Sequence, residues 1–312
     1  MITKEELQDR YNISEELFQS AGISWEELTE IFDDFNEKKS NKYEPILKEF
    51  ISTYLDSSNL KSANVHSIRY RVKSPEHLVV KVIRKKQENF KKYKNLNKSN
   101  YEKFITDLIG IRCFILFKKD WEDFHNYILN KFENNVNFYI KDSIRDFDDN
   151  LEHSYIAEKP KVHIRNGDDR TIYEKALPPD CVIDDKVYRS VHYIIKYKGI
   201  YLEIQVRTLF EEGWGEVDHA IVYPYYQDDK VLKEYTELLN RLTGLADEMS
   251  SFFVRLRELE KENHEHSHSY AESIVETQVE KTIIAENKSD NDLNKEKNEN
   301  TLYQCLQSVL DE

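Results

Sequence analysis

Glycine and proline are scarce in this chain, seven and six among 312 residues, well below their ordinary share. The glycines, at positions 22, 110, 167, 199, 213, 215 and 244, fit neither a dinucleotide-binding fingerprint nor a P-loop. If the chain binds nucleotide phosphates, side-chain cations must hold them. Cysteine is sparse too: Cys113, Cys181 and Cys305 are too far apart for a disulfide framework or a Cys-x-x-Cys metal site. A reducing compartment is expected. No apolar run approaches the ~18 residues of a membrane span, and residues 1–19 lack the apolar stretch of a signal peptide. The expectation is a cytoplasmic protein with no membrane partner.

What is present is polar but still able to fold. Hydrophobic residues make up 39%, aromatics 12% and charged residues 33%, with a mean hydropathy of -0.74. That leaves enough apolar material for a core beneath a wet surface. The net charge of -14 disfavours general binding to nucleic acid or anionic membrane. One block departs from this balance. Lys81, Arg84, Lys85, Lys86, Lys91, Lys92, Lys94 and Lys98 face a single acid, Glu88.

Short helices are predicted over the first 60 residues. Ser24-Trp25-Glu26-Glu27 is a capping box, followed by Leu28, Ile31, Phe32 and Phe35 at helical spacing. Tyr43, Ile46, Leu47, Phe50 and Tyr54 form a second stripe. Ser74-Pro75 opens another helix. Ser99-Asn100-Tyr101-Glu102 reads as a further capping box, with its helix ending near Gly110. Strands are predicted over 111–117, 161–164, 190–197 and 201–207, the last two joined as a hairpin through Lys198-Gly199. Residues 121–132 return to helical spacing, and 142–185 read as a long irregular lid or binding insertion. A long helix over 231–259 carries Tyr235, Leu238, Leu242, Leu245, Met249, Phe252, Leu256 and Leu259 in a seam. It can pack on its own domain or meet a second copy. Residues 262–300 are expected to be largely disordered, with a short helix over 301–310.

In the strand at 202–207, Leu202, Ile204 and Val206 share one face, and Glu203, Gln205 and Arg207 share the other. Acid, amide and cation backed by an apolar face suit the floor of a site as well as a half-exposed sheet. Asp107, where a helix gives way to a strand, and Glu203 could together hold Mg²⁺, which takes one or two carboxylates plus phosphate oxygens. Lys81, Arg84 and Lys85 share one helix face, preceded by Arg71 and Lys73. This is either a solvated face or a polyphosphate clamp. On the helix predicted over 210–222, Phe210, Trp214, Val217 and Ile221 are the expected inward stripe. Its other stripe, Glu212, Glu216 and His219, loosely follows a Glu-x-x-His metal pattern.

These residues together resemble the RelA/SpoT synthetase domain. The likeness is carried by Arg71-Val72-Lys73-Ser74 with Lys81 and Arg84, by Asp107-Leu108-Ile109-Gly110-Ile111-Arg112, by Tyr188-Arg189-Ser190-Val191-His192 and by Glu203-Ile204-Gln205-Val206-Arg207-Thr208. The resemblance implies an α+β fold, a mixed sheet flanked by helices and related to nucleotidyltransferases. The divisions expected are a helical extension (1–60), the synthetase domain (61–226), a long helix (227–261) and an acidic tail (262–312). It implies a GTP diphosphokinase without a hydrolase domain, moving pyrophosphate from ATP to the 3′-hydroxyl of GDP or GTP to give (p)ppGpp. ATP would meet Arg71, Lys73, Ser74, Lys81, Arg84 and Arg112, with Arg71 and Arg112 on either side of adenine. Asp107 and Glu203 would be catalytic and hold Mg²⁺. Tyr188, stacking on the acceptor base, would be joined there by His192, Gln205 and Arg207. Three departures from the family pattern fall on the acceptor side: Lys186-Val187 before Tyr188, Asp184, and Glu212-Gly213. They keep a second reading open, a toxin-like relative that makes an adenosine alarmone or modifies the 3′ end of tRNA. A homo-oligomer through 231–259 is expected under either reading.

Overall fold

In the computed structural model, residues 3–132, 154–222 and 229–289 are described. The chain opens with five helices, α1 (Lys4–Tyr11), α2 (Glu15–Ser20), α3 (Trp25–Lys38), α4 (Glu44–Tyr54) and α5 (Ser57–Ser62), with a π-helical turn at Lys39–Tyr43 before α4. The capping box at Ser24 forms: the Glu27 amide donates to Ser24 Oγ at 3.1 Å, and the Ser24 amide to Glu27 Oε2 at 2.9 Å. Both apolar stripes turn inward, burying Leu28, Ile31 and Phe35 on α3 and Leu47 and Phe50 on α4.

After β1 (Ser67–Val72), α6 (Pro75–Glu88) is capped by Ser74 and α7 (Phe90–Tyr93) by Asn89. The helix expected to begin at Ser99 and run towards Gly110 is a single turn, α8 (Tyr101–Phe104). Ser99 Oγ is taken up by Asn97 Oδ1 at 2.7 Å and so caps nothing. Strand β2 (Ile109–Ile115) and helix α9 (Asp120–Lys131) follow. The segment read as an irregular insertion contains short regular elements. It holds β3 (Tyr155–Ile156), β4 (Lys161–Arg165), α10 (Thr171–Ala176) and β5 (Val182–Asp185), and only 142–153 lies outside the described residues. Strands this short, rich in charge, carry little period-two signal. β6 (Ser190–Tyr197) and β7 (Ile200–Thr208) form the expected hairpin. Lys198 and Gly199 both have positive φ, 48° and 77°, as a two-residue type I′ turn demands.

The seven strands make one mixed sheet in the order β1-β2-β7-β6-β4-β5, with β3 added to β6. The β2–β7 and β4–β5 pairs are parallel and the others antiparallel. One hydrophobic core runs from the N-terminal helices through α6 and α9 to the sheet.

The last two described helices are α11 (Leu209–Ile221) and α12 (Lys230–Ser289). On α11 the expected apolar stripe faces inward only in part: Trp214 is buried and Val217 half-buried, but Phe210 and Ile221 are exposed, while Glu211, Glu212 and Gly215 are buried. Arginines opposite the acids account for this, as described below. α12 runs on through residues expected to be disordered, as far as Ser289; no glycine or proline lies between Gly244 and that point, so nothing breaks the helix. The short helix expected over 301–310 lies outside the described residues. The chain divides into two compact units, Met1–Ser251 and Phe252–Glu312. No described helix is long and apolar enough to cross a membrane.

Candidate active site

Strand register assembles the site. Arg71 on β1 pairs with Gly110 on β2, and Gly110 pairs with Glu203 on β7. One step along, Arg69, Arg112, Gln205 and His192 form a second row across β1, β2, β7 and β6. Since residues level with one another share a face, Arg71 and Glu203 flank a position that has no side chain. A Cβ on Gly110 would meet nothing within 4 Å. Gly110 thus forms open floor in a cavity of about 270 Å³ lined also by Arg71, Lys73, Asp107, Arg112 and Glu203. A second cavity, about 610 Å³, shares Arg71, Lys73 and Asp107 with the first. It extends past Lys81, Arg84 and Lys85 to Arg10 and Tyr11 of α1.

The residues expected to meet ATP converge. Asp107 Oδ2 meets Lys73 Nζ at 2.9 Å and Lys81 Nζ at 2.5 Å. Its Oδ1 is buried with no hydrogen-bond partner. Burial lowers the pKa of Lys73, with the Asp107 charge opposing. Arg84 lines the larger cavity and approaches the Tyr11 carbonyl at 3.5 Å. Ser74 serves α6 as its cap: Oγ accepts from the His77 amide at 3.2 Å and bonds His77 Nδ1 at 2.7 Å.

The residues expected to meet the acceptor close a ring of hydrogen bonds with Glu203. His192 Nδ1 is 3.2 Å from Glu203 Oε1, and His192 Nε2 is 2.9 Å from Tyr188 Oη. Arg207 Nη2 donates to Tyr188 Oη at 2.5 Å and to Gln205 Oε1 at 2.8 Å. Gln205 Nε2 donates back to Glu203 Oε2 at 2.7 Å. The alternation read from the strand at 202–207 is therefore present, with acid, amide and cation in a line. Burial pushes the Glu203 carboxyl up, but the hydrogen bond and charge of His192, the charge of Lys81 and the Gln205 amide outweigh it and hold it at about 2. Burial also raises the Tyr188 phenol, Arg207 opposing.

Glu212 and Glu216, read as half of a possible metal helix, grip arginines. Arg112 Nη1 lies 2.6 Å from Glu212 Oε1 and 2.6 Å from Glu216 Oε1. Arg207 Nη1 reaches Glu212 Oε2 at 3.0 Å, and Arg69 reaches Glu216 at 2.9 Å. Among the described residues, no three His, Cys, Asp or Glu side chains gather as a metal cluster. Glu212 thus joins Arg112 of the cavity to Arg207 of the ring, a link that helix periodicity does not disclose. Arg10 and Tyr11, which line the larger cavity, carry no signal in the sequence; only the folded chain brings them there.

Residues 70–228 match the family described as the region found in RelA and SpoT proteins. No curated protein matches the chain. Among solved structures, small alarmone synthetase 2 from Bacillus subtilis is 22% identical, covering 70% of this chain and 98% of its own, with a TM-score of 0.41. A GTP pyrophosphokinase family protein from Streptococcus pneumoniae is 21% identical, covering 75% and 95%, with a TM-score of 0.40. Small alarmone synthetase 1 from Bacillus subtilis, bound to its product pppGpp, is 16% identical, covering 72% and 95%, with a TM-score of 0.41.

Proposed function

Because this chain belongs to the RelA/SpoT family, matched over residues 70–228, we propose that it is an alarmone synthetase transferring pyrophosphate from ATP to the 3′-hydroxyl of GDP or GTP. One observation carries the reading. Glu203 lines the cavity that holds Arg71, Lys73, Asp107 and Arg112, and it also belongs to the Tyr188–His192–Arg207–Gln205 ring. A polyphosphate among the cations and a nucleoside stacked on Tyr188 would meet at this carboxylate. The acceptor 3′-oxygen attacks the β-phosphorus, the bond from that phosphorus to the α-phosphate oxygen breaks, and AMP leaves. Such chemistry depends on positioning and on spreading the phosphate charge. Lys73, Lys81 and Arg84 supply the charge in place of a glycine loop. Arg71 and Arg112 offer planar guanidinium groups to adenine, and Glu212 and Glu216 hold Arg112 in one orientation.

Asp107 and Glu203 fit a hard cation. Both give oxygen ligands, and Asp107 Oδ1 is buried and unpartnered. Mg²⁺ there would neutralise phosphate charge. A carboxyl held at about 2 is ionised at neutral pH and a weak base, so Glu203 acts chiefly by orienting the hydroxyl. His192 Nδ1, 3.2 Å away, donates to the ionised carboxylate and holds it in place, and the proton lost by the hydroxyl passes to solvent. The outward apolar seam of α12, with Leu238, Leu242, Leu245 and Met249 about half exposed, would be covered by a second copy of the chain.

The test supplies labelled ATP and Mg²⁺ with GDP, GTP, AMP or deacylated tRNA in separate reactions. Label should pass to GDP or GTP, and Glu203→Gln should slow transfer by on the order of 100-fold or more while the protein stays folded. Label on tRNA or adenosine nucleotide alone, or near-normal turnover by Glu203→Gln, would overturn the reading.

A further inference from the structure

Helix α12 turns polar side chains inward, and they gather around one short segment. Asn240, 1% exposed, donates from Nδ2 to the Val187 carbonyl at 2.7 Å. Arg189, 3% exposed, donates to Asp247 Oδ2 at 3.2 Å and to Thr243 Oγ1 at 3.1 Å. From the other side, Asp185 Oδ1 accepts from the amides of Val187 at 3.3 Å and Tyr188 at 3.1 Å. Tyr188 therefore stands between two residues that are each tied to α12.

The helix is itself held in register. Arg165 Nη1 donates to the Asn240 carbonyl at 3.2 Å and reaches Asn240 Oδ1 at 3.4 Å, while its Nε and Nη2 bond Asp168 at 3.0 and 2.6 Å. Gly244 makes the approach possible, since a Cβ there would lie 2.7 Å from Arg165 Nη2. A helix docked by an apolar stripe can slip or roll at modest cost. One docked through buried hydrogen bonds cannot, because each misplaced donor or acceptor is left unsatisfied.

We propose that Asn240, with Thr243 and Asp247, positions Tyr188 for the acceptor base, so that α12 sets the affinity for the acceptor and leaves that for ATP untouched. The proposal rests on the acceptor reading of Tyr188 given above. The cations proposed for the ATP phosphates lie elsewhere, Lys73 at the β1–α6 junction and Lys81 and Arg84 on α6, where Asp107 holds Lys73 and Lys81. Stacking needs a ring at a fixed angle, and freeing the Val187 carbonyl loosens the residue next to that ring.

Asn240→Asp keeps the side chain's size and an oxygen towards Arg165, removes the N–H that the Val187 carbonyl accepts, and adds a charge that Arg165 faces. In the full chain, the KM for GDP should rise about twofold to twelvefold, the span of one hydrogen bond's net contribution. The KM for ATP should not change, and amide hydrogen exchange in a peptide covering 186–190 should quicken. The exposed Glu248→Ala should alter none of these. Should Asn240→Asp fail to fold, Thr243→Val, which loses one partner of Arg189, should shift GDP KM and exchange the same way by less. Unchanged exchange with unchanged GDP KM, or an equal rise in both KM values alongside a lower melting temperature, would overturn the proposal. If the unaltered protein passes pyrophosphate to no guanosine nucleotide, the functional reading fails on its own. The exchange measurement then decides the anchoring: faster exchange upholds it and unchanged exchange refutes it.

Discussion

The helices at the two ends of the core domain are docked by opposite means. α3 and α4 insert Leu28, Ile31, Phe35, Leu47 and Phe50 into the core, and their polar residues face water. α11 and the first part of α12 bury Glu211, Glu212, Thr236, Asn240 and Asp247, and leave Phe210, Leu238, Leu242 and Leu245 outside. The first arrangement draws on apolar burial, which is strong and tolerant of direction. The second draws on paired charges and hydrogen bonds, which add little net stability but fix geometry. The tolerant kind of docking lies at the scaffold. The exacting kind lies against the residues proposed to hold the acceptor.

The largest effect expected is on the apolar side. Phe50 is wholly buried, with ring centroids of Tyr54, Phe132 and Tyr197 at 5.1, 5.9 and 5.3 Å. Phe50→Ala should cost about 3–5 kcal/mol in denaturant unfolding. A loss under about 1 kcal/mol would show that the scaffold does not depend on this core as described.

A smaller, pH-dependent effect separates the two regions. Burial and the neighbouring Glu211 push the Asp247 carboxyl up to about 7, against the Thr208 hydroxyl and the charges of Arg189 and Lys118. Its ordinary value is 3.8. Between the two values the folded chain keeps a proton that the unfolded chain has lost, so this group's contribution to stability falls as pH rises through that window and levels off above it. Asp247→Asn should flatten the melting temperature across that range, whereas Phe50→Ala should shift the whole curve without changing its slope. If Asp247→Asn keeps the slope of the unaltered protein, the polar docking is not where the proton is held.

The same contrast explains what could be read from the sequence. The helices α3 and α4, the β6–β7 hairpin and the Glu203–Gln205–Arg207 face follow from local spacing, because period and turn chemistry act within a few residues. The pairing of Asp107 with Lys73 and Lys81 agrees with motif order. The inward faces of α11 and α12 were not legible. Glu212 is buried because Arg112 and Arg207, distant and adjacent in sequence, both reach it, and Asn240 is buried because Val187 offers a carbonyl. Hydrophobic periodicity shows which face of a helix is apolar. It does not show which face docks when a matching set of charges waits opposite.

The smallest expected effect on the protomer tests why the apolar face of α12 points outward. Tyr235, Leu238, Leu242, Leu245 and Met249 are 67%, 48%, 55%, 52% and 52% exposed, an apolar stripe of the kind that marks interaction surfaces. The seam alternates three and four residues, as in helices that pair. If a second copy covers it, light scattering should give a multiple of the 37.3 kDa chain mass. The double substitution Leu238→Ser, Leu242→Ser should then return the mass to that of one chain. Because both side chains are already exposed in the protomer, its own stability should shift by no more than about 0.5 kcal/mol per site. A single-chain mass for the unaltered protein at micromolar concentration would refute the covering. The outward seam would then have to be explained by the inward one alone: α12 turned this way because Asn240 and Asp247 required it.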